Sequence, residues 1–159
     1  MKTLTSLHEP SDGGKAVNVL LIGNNPIEMS RIYDQLKRAT GIKFITNIAF
    51  NLSDGMKKAV STSPSCILVD DNMESKVISE FTTHLNSDSR TSEIPVALLK
   101  SSNYRSISAS GIQEYLLKDY LDTERLTKAI RNLLKYKRMR LYLYKTYKVS
   151  KRRIKSLGI

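Results

Sequence analysis

A short apolar run followed by a helical stretch recurs five times along this chain, and that alternation restricts its fold more than any single motif. The first run, Val17-Asn18-Val19-Leu20-Leu21-Ile22, is too short for an ordinary globular helix and ends at a turn, so it reads as a strand buried on both faces. Asn25-Pro26-Ile27-Glu28 then opens a helix. Asn25 is a capping residue, Pro26 suits the first helical position, and Glu28 is placed to reach back to the cap. Met29, Ile32, Leu36 and Ala39 form the inward stripe, and Gly41 supplies a left-handed stop. Phe44 to Ile48 predicts a second strand. A helix from Asn51 to Ser63 follows, with Asn51 as its cap, Met56, Ala59 and Val60 facing in, and Pro64 closing it. Cys66-Ile67-Leu68-Val69 is the third strand, ending at Asp70-Asp71; its helix carries Val77, Ile78, Phe81 and Leu85 at core spacing. Ile94 to Leu99 is the fourth, and a shorter helix through Tyr104 and Ile107 stops at Gly111. Tyr115-Leu116-Leu117 is the fifth, and Asp122 caps a last helix bearing Leu126, Ala129, Ile130, Leu133 and Leu134.

Strands that alternate with helices pair in parallel through right-handed crossovers, with helices on both faces of one sheet. The expected class is α/β, a flavodoxin-like doubly wound five-stranded parallel sheet of order 2-1-3-4-5. Such sheets place their site at the carboxyl ends of the strands, beside the switch between the first and third. The residues there are Gly23-Asn24-Asn25, Asp70-Asp71-Asn72, Lys100-Ser101 and Lys118-Asp119.

The 159 residues suit one domain, at 40% hydrophobic and 26% charged. Ten of the 26 Lys and Arg fall in residues 135–159, which hold no acid; the remaining 16 face 15 acids in residues 1–134. The net charge of +11 therefore belongs to the end of the chain, and says little about the rest. Three segments are expected: a flexible leader over residues 1–15, a folded body over 16–134, and a basic extension over 135–159. Gly13-Gly14-Lys15 lacks both the spacing and the preceding strand of a phosphate loop. One cysteine makes no internal disulfide, and neither a signal peptide nor an apolar run near the ~18 residues of a membrane span is visible, so a cytoplasmic protein is expected.

Asp70 and Lys118 end two strands and would share one crevice. The plain reading is an ion pair. The alternative is that Asp70 binds a cation or attacks a phosphoryl donor, with Lys118 steadying the phosphate formed. Over residues 17–134 the sequence resembles the receiver domain of two-component response regulators. Leu20-Leu21-Ile22-Gly23-Asn24-Asn25-Pro26 is similar to the family's first strand and acidic loop, and Ile67-Leu68-Val69-Asp70-Asp71-Asn72-Met73 to its phosphoacceptor strand. Ile94-Pro95-Val96 resembles its fourth strand, and Gly111-Ile112-Gln113-Glu114-Tyr115-Leu116-Leu117-Lys118 its Gly-Ala-x-x-Tyr-Leu-x-Lys segment.

The resemblance implies that Asp70 stands where receivers accept a phosphoryl group from a histidine kinase, that Lys118 stands where they hold it, and that Tyr115 is the switch aromatic. It also implies departures. The two metal-binding acids fall at Gly23 and Asn24, neither of them anionic, so magnesium binding should be weak or absent, with Asp70, Asn24 and Asn72 the remaining candidate ligands. Losing that ion removes charge that offsets the transferring oxygens. The phosphoryl-binding hydroxyl falls at Lys100, and the proline after the lysine at Asp119. Ser101, one residue on, is turned to the other face of a regular strand, while Lys100 is a candidate partner for Asp70 in a metal-free, neutralised cluster. Strand alternation also argues against Asp71 as a ligand, unless the chain has already turned.

His8 and His84 have no partners that suggest catalysis or zinc, Cys66 reads as a small core residue, and no catalytic triad is visible, so an enzyme is not expected. The expectation is a stand-alone receiver-like signalling module without cofactor, impaired in magnesium-dependent phosphorylation. It would bind a sensor histidine kinase or output protein through a face holding Tyr104, Ile107 and Tyr115. One alternative is a working receiver phosphorylated on Asp70. Another is a nucleic-acid adaptor acting through Lys145, Lys148, Lys151, Arg152 and Arg153, which stand among tyrosines; an anionic membrane, an acidic protein or a second copy suits the extension as well.

Overall fold

The computed structural model describes residues 16–101 and 111–156. Five parallel strands, β1 (Ala16–Ile22), β2 (Lys43–Ala49), β3 (Cys66–Asp70), β4 (Val96–Lys100) and β5 (Ile112–Leu117), form one sheet of order β2-β1-β3-β4-β5. Helices α1 (Pro26–Lys37), α2 (Leu52–Thr62), α3 (Ser75–Ser87) and α4 (Thr123–Ser156) join or follow the strands. The doubly wound fold read from the alternation is the one found. Both faces of the sheet are covered, because β1, β3 and β4 offer apolar side chains in both directions. Leu20, Ile22, Ile67, Val69 and Leu98 pack under α2 and α3; Val19, Leu21, Leu68, Ala97 and Leu99 pack under α1 and α4.

Local chemistry fixes the helix starts. Asn25 Oδ1 accepts hydrogen bonds from the backbone N–H of Ile27 (3.0 Å) and Glu28 (3.3 Å), and Asn51 Oδ1 from that of Asp54 (2.7 Å). Asp122 does the same for α4 through the Arg125 N–H at 2.7 Å. Gly41 and Gly111 take the left-handed conformation, with φ of 79° and 93°. Ser63 ends α2 in the same region with φ 45°, a stop supplied one residue before Pro64.

Two expected stripes are shifted. In α2 the buried residues are Leu52, Gly55 and Ala59, with Met56 and Val60 half-buried. A Cβ on Gly55 would lie 2.6 Å from Ile22 Cδ1, so the missing side chain is what lets α2 approach β1. In α3, Ile78, Phe81 and Leu85 are buried, but Val77 is exposed. It lines an open groove of about 400 Å³ between α2 and α3, together with Leu52, Met56, Phe81 and the exposed His84.

Helix α4 passes residue 134 without a break. Its first turns bury Leu126, Ala129, Ile130 and Leu133. Beyond them Lys137 and Leu141 remain half-buried, and every other residue from 135 to 155 is exposed. Among the described residues no helix is long and apolar enough to cross a membrane. The leader over residues 1–15 and the short helix expected through Tyr104 and Ile107 lie outside the described residues.

Candidate functional site

The carboxyl ends of β1, β3 and β5 converge as the topology requires. β3 is apolar through Val69 and delivers Asp70 as its last residue, fully buried. Lys118 follows the last residue of β5, at the start of a 3-10 turn over Lys118–Tyr120, with its side chain 8% exposed. Lys118 Nζ donates to Asp70 Oδ1 at 3.0 Å. Two further carboxylates meet the same ammonium: Asp71 Oδ1 and Glu28 Oε2, each at 3.5 Å. Burial by itself would pull the Lys118 ammonium below its ordinary value. The hydrogen bond and charge of Asp70, then the charges of Glu28 and Asp71, outweigh it and hold the pKa above that value.

This arrangement corrects three expectations. Lys100 does not pair with Asp70. Leu99 stands in register with Asp70, so alternation sends Lys100 to the opposite face, and among the described residues no ion pair is formed by it. Ser101 does reach the cluster, donating its backbone N–H and its hydroxyl to Asp71 Oδ2 at 2.9 and 3.2 Å. Asp71 is 2% exposed and part of the site because the chain turns at residues 71–72, where the Asn72 N–H donates to Asp70 Oδ1. Glu28 went unrecognised as a site residue because Asn25 suggested a capping box. Its carboxylate turns instead to Lys118, and its place in the first turn after β1 is the signal that could have found it. The cluster is thus one ammonium among three carboxylates, and not the neutral group of two ammoniums and one carboxylate expected.

Asn24 and Asn72 lie at the rim of the site, where Asn72 Nδ2 donates to Asn24 Oδ1 at 3.0 Å. The Asn72 N–H donates to Asp70 Oδ1 at 2.8 Å, while Asp70 Oδ2 is buried with no hydrogen-bond partner among the described residues. Tyr115 is exposed on β5. Cys66 is buried at the start of β3, where burial, eased slightly by the charge of Lys137, pushes its thiol up to about 12; it is unreactive packing.

A divalent ion of the magnesium kind needs several oxygen ligands, preferably anionic. The residues present do not fit it. Gly23 is buried, and a Cβ there would lie 2.5 Å from Met29 Sδ and 3.1 Å from Asp70 Cβ, so an acid at 23 requires the end of the buried Met29 side chain to move. Among the described residues no group of three or more acidic, histidine or cysteine side chains is disposed to hold a metal.

Neither a family model nor a curated protein matches the sequence. Solved structures do. The N-terminal domain of a response regulator receiver protein from Methanoculleus marisnigri is 24% identical, with TM-score 0.52 over 74% of this chain and 95% of that one. A response regulator from Desulfuromonas acetoxidans is 20% identical, with TM-score 0.60 over 76% and 98%. The receiver domain of a sensor histidine kinase from Pseudomonas aeruginosa, solved with magnesium coordinated in its active-site cleft, is 14% identical, with TM-score 0.60 over 76% and 99%. The fold of the chain is that of receiver domains.

Proposed function

We propose that the chain is a receiver-like module of two-component signalling that has given up magnesium-dependent phosphotransfer and acts by binding other proteins in the cytoplasm, a sensor kinase or an output protein among them. The observation that carries this reading is the cation at the strand ends: the Lys118 ammonium, ringed by Glu28, Asp70 and Asp71. Phosphoryl transfer draws on positive charge placed against the transferring oxygens. Here that charge is one amine already shared among three carboxylates, and the position of the first acid is Gly23, against which the end of the Met29 side chain packs. Asp70 is also fully buried, which limits the approach of a donor to it. The partner-binding face expected at Tyr104, Ile107 and Tyr115 belongs to this proposal, the first two residues lying outside those described.

One feature favours the second reading, a phosphoacceptor. Asp70 Oδ2 has no hydrogen-bond partner among the described residues, and an unpaired carboxylate oxygen is a nucleophile in waiting. Incubation with acetyl phosphate and magnesium, followed by intact-mass measurement, separates the two. Little or no phosphoryl adduct is expected, and the same small amount when magnesium is omitted. Stoichiometric, magnesium-dependent modification at Asp70 would overturn the first reading and establish the second.

A further inference from the structure

The exposed part of α4 carries a surface that the signalling reading does not use. Tyr136, Met139, Leu143, Tyr147 and Ile154 follow one another at steps of three, four, four and seven residues, which gathers them on a helix within an arc of roughly 80°. All five are exposed, from 45% at Tyr136 to 65% at Met139. No Lys or Arg falls inside that arc. Arg140 and Lys151 border it on one side and Arg153 on the other. The stripe stands to one side of the residues that face the body: Lys137, Arg140, Leu141 and Tyr144, which with Ser92 and Glu93 line a cavity of about 320 Å³, are centred roughly 110° round the helix from it.

An occupant of this surface has to receive an apolar stripe and a dense positive charge together. A second copy of the chain would cover the stripe, but would lay two segments of ten cations and no acid side by side, and charges of one sign at that range repel. Duplex nucleic acid would meet the cations and leave the stripe in water. An acidic protein groove would also accept the stripe, since beyond Leu141 the helix is exposed on every side, and absence of vesicle binding is the outcome that would point to it. An anionic bilayer asks only for the outward face. The stripe sinks to the boundary of headgroups and acyl chains, the tyrosine hydroxyls stay at the wet level, and the flanking Lys and Arg reach lipid phosphates.

We propose that residues 136–154 are a membrane-surface helix, lying in the plane of an anionic lipid bilayer with Tyr136, Met139, Leu143, Tyr147 and Ile154 inserted. At 1.5 Å per residue the segment covers roughly 30 Å of that surface. The test is co-sedimentation of the full chain with vesicles of phosphatidylcholine alone or with added phosphatidylserine. The wild type is compared with Met139→Gln/Leu143→Gln, which keeps both charge and helix propensity. Expected are binding to the serine-containing vesicles only, weakening with salt, and a loss of about tenfold or more in the double variant. Equal binding of both proteins would overturn the proposal in favour of charge alone. Absence of binding would overturn it too, as would a lipid-free dimer in sedimentation velocity that the double substitution dissolves.

Discussion

Met29 and Lys118 between them determine what the strand-end pocket can hold. Sequence comparison with receivers invites the substitution of acids at Gly23 and Asn24, as if the missing charges were all that magnesium binding lacked. The geometry predicts otherwise. A side chain at 23 displaces a fully buried methionine and crowds Asp70, an overpacking that typically costs about 1–3 kcal/mol. Gly23→Asp/Asn24→Asp is therefore expected to lose stability and gain no measurable heat with magnesium in calorimetry. Adding Met29→Ala should open the space and bring the heat of binding back. A double variant that already binds magnesium tightly would show that Met29 is no obstacle. Lys118 supplies the companion prediction. Lys118→Met leaves two buried aspartates without their cation, and breaking a buried pair in this way costs about 3–5 kcal/mol; urea unfolding at neutral pH measures it.

At the scale of elements, the approach of α2 to β1 rests on Gly55. Alanine there is the better helix former by about 1 kcal/mol, so a propensity argument alone predicts stabilisation. The 2.6 Å contact with Ile22 Cδ1, in a side chain with no exposure, predicts the reverse. Gly55→Ala should lower the unfolding midpoint, and Ile22→Val, which deletes the offending methyl, should rescue most of the loss. Independent, additive effects in that double-mutant cycle would refute the close contact. Helix α4 shows a different division. Leu126, Ala129, Ile130 and Leu133 hold its first turns on the sheet. The later turns bury little, so their stripe is free to serve an interface without cost to the core.

Across the whole molecule, Lys118 ties β5 to β3 and, through Glu28, to α1, so its protonation is felt as global stability. Its pKa is raised in the folded state, hence its contribution is complete below the ordinary lysine value of 10.5 and is lost as pH climbs through the higher folded value. Stability measured by urea titration should stay level on this account up to that value and fall above it, and the fall should be smaller in Lys118→Met. A fall of equal size in the two proteins would separate alkaline unfolding from the cluster.

What the sequence determined by itself was the periodic part of the molecule. Short apolar runs and period-3.6 stripes, with Asn25, Asn51 and Asp122 as caps, are local properties. They were enough for the alternation of strand and helix, from which the usual order of such five-stranded sheets brings Asp70 and Lys118 to one edge. Only the tertiary structure decided how the pocket is filled. Whether Lys100 or Ser101 turns inward depends on the register of β4 against β3. Whether Asp71 joins depends on where the chain leaves its strand, and Glu28 had two possible partners until α1 was seated. The space beside Gly23 was given to Met29 by packing between segments. Such outcomes are set by contacts between residues far apart in the chain, and no window of neighbouring residues encodes them.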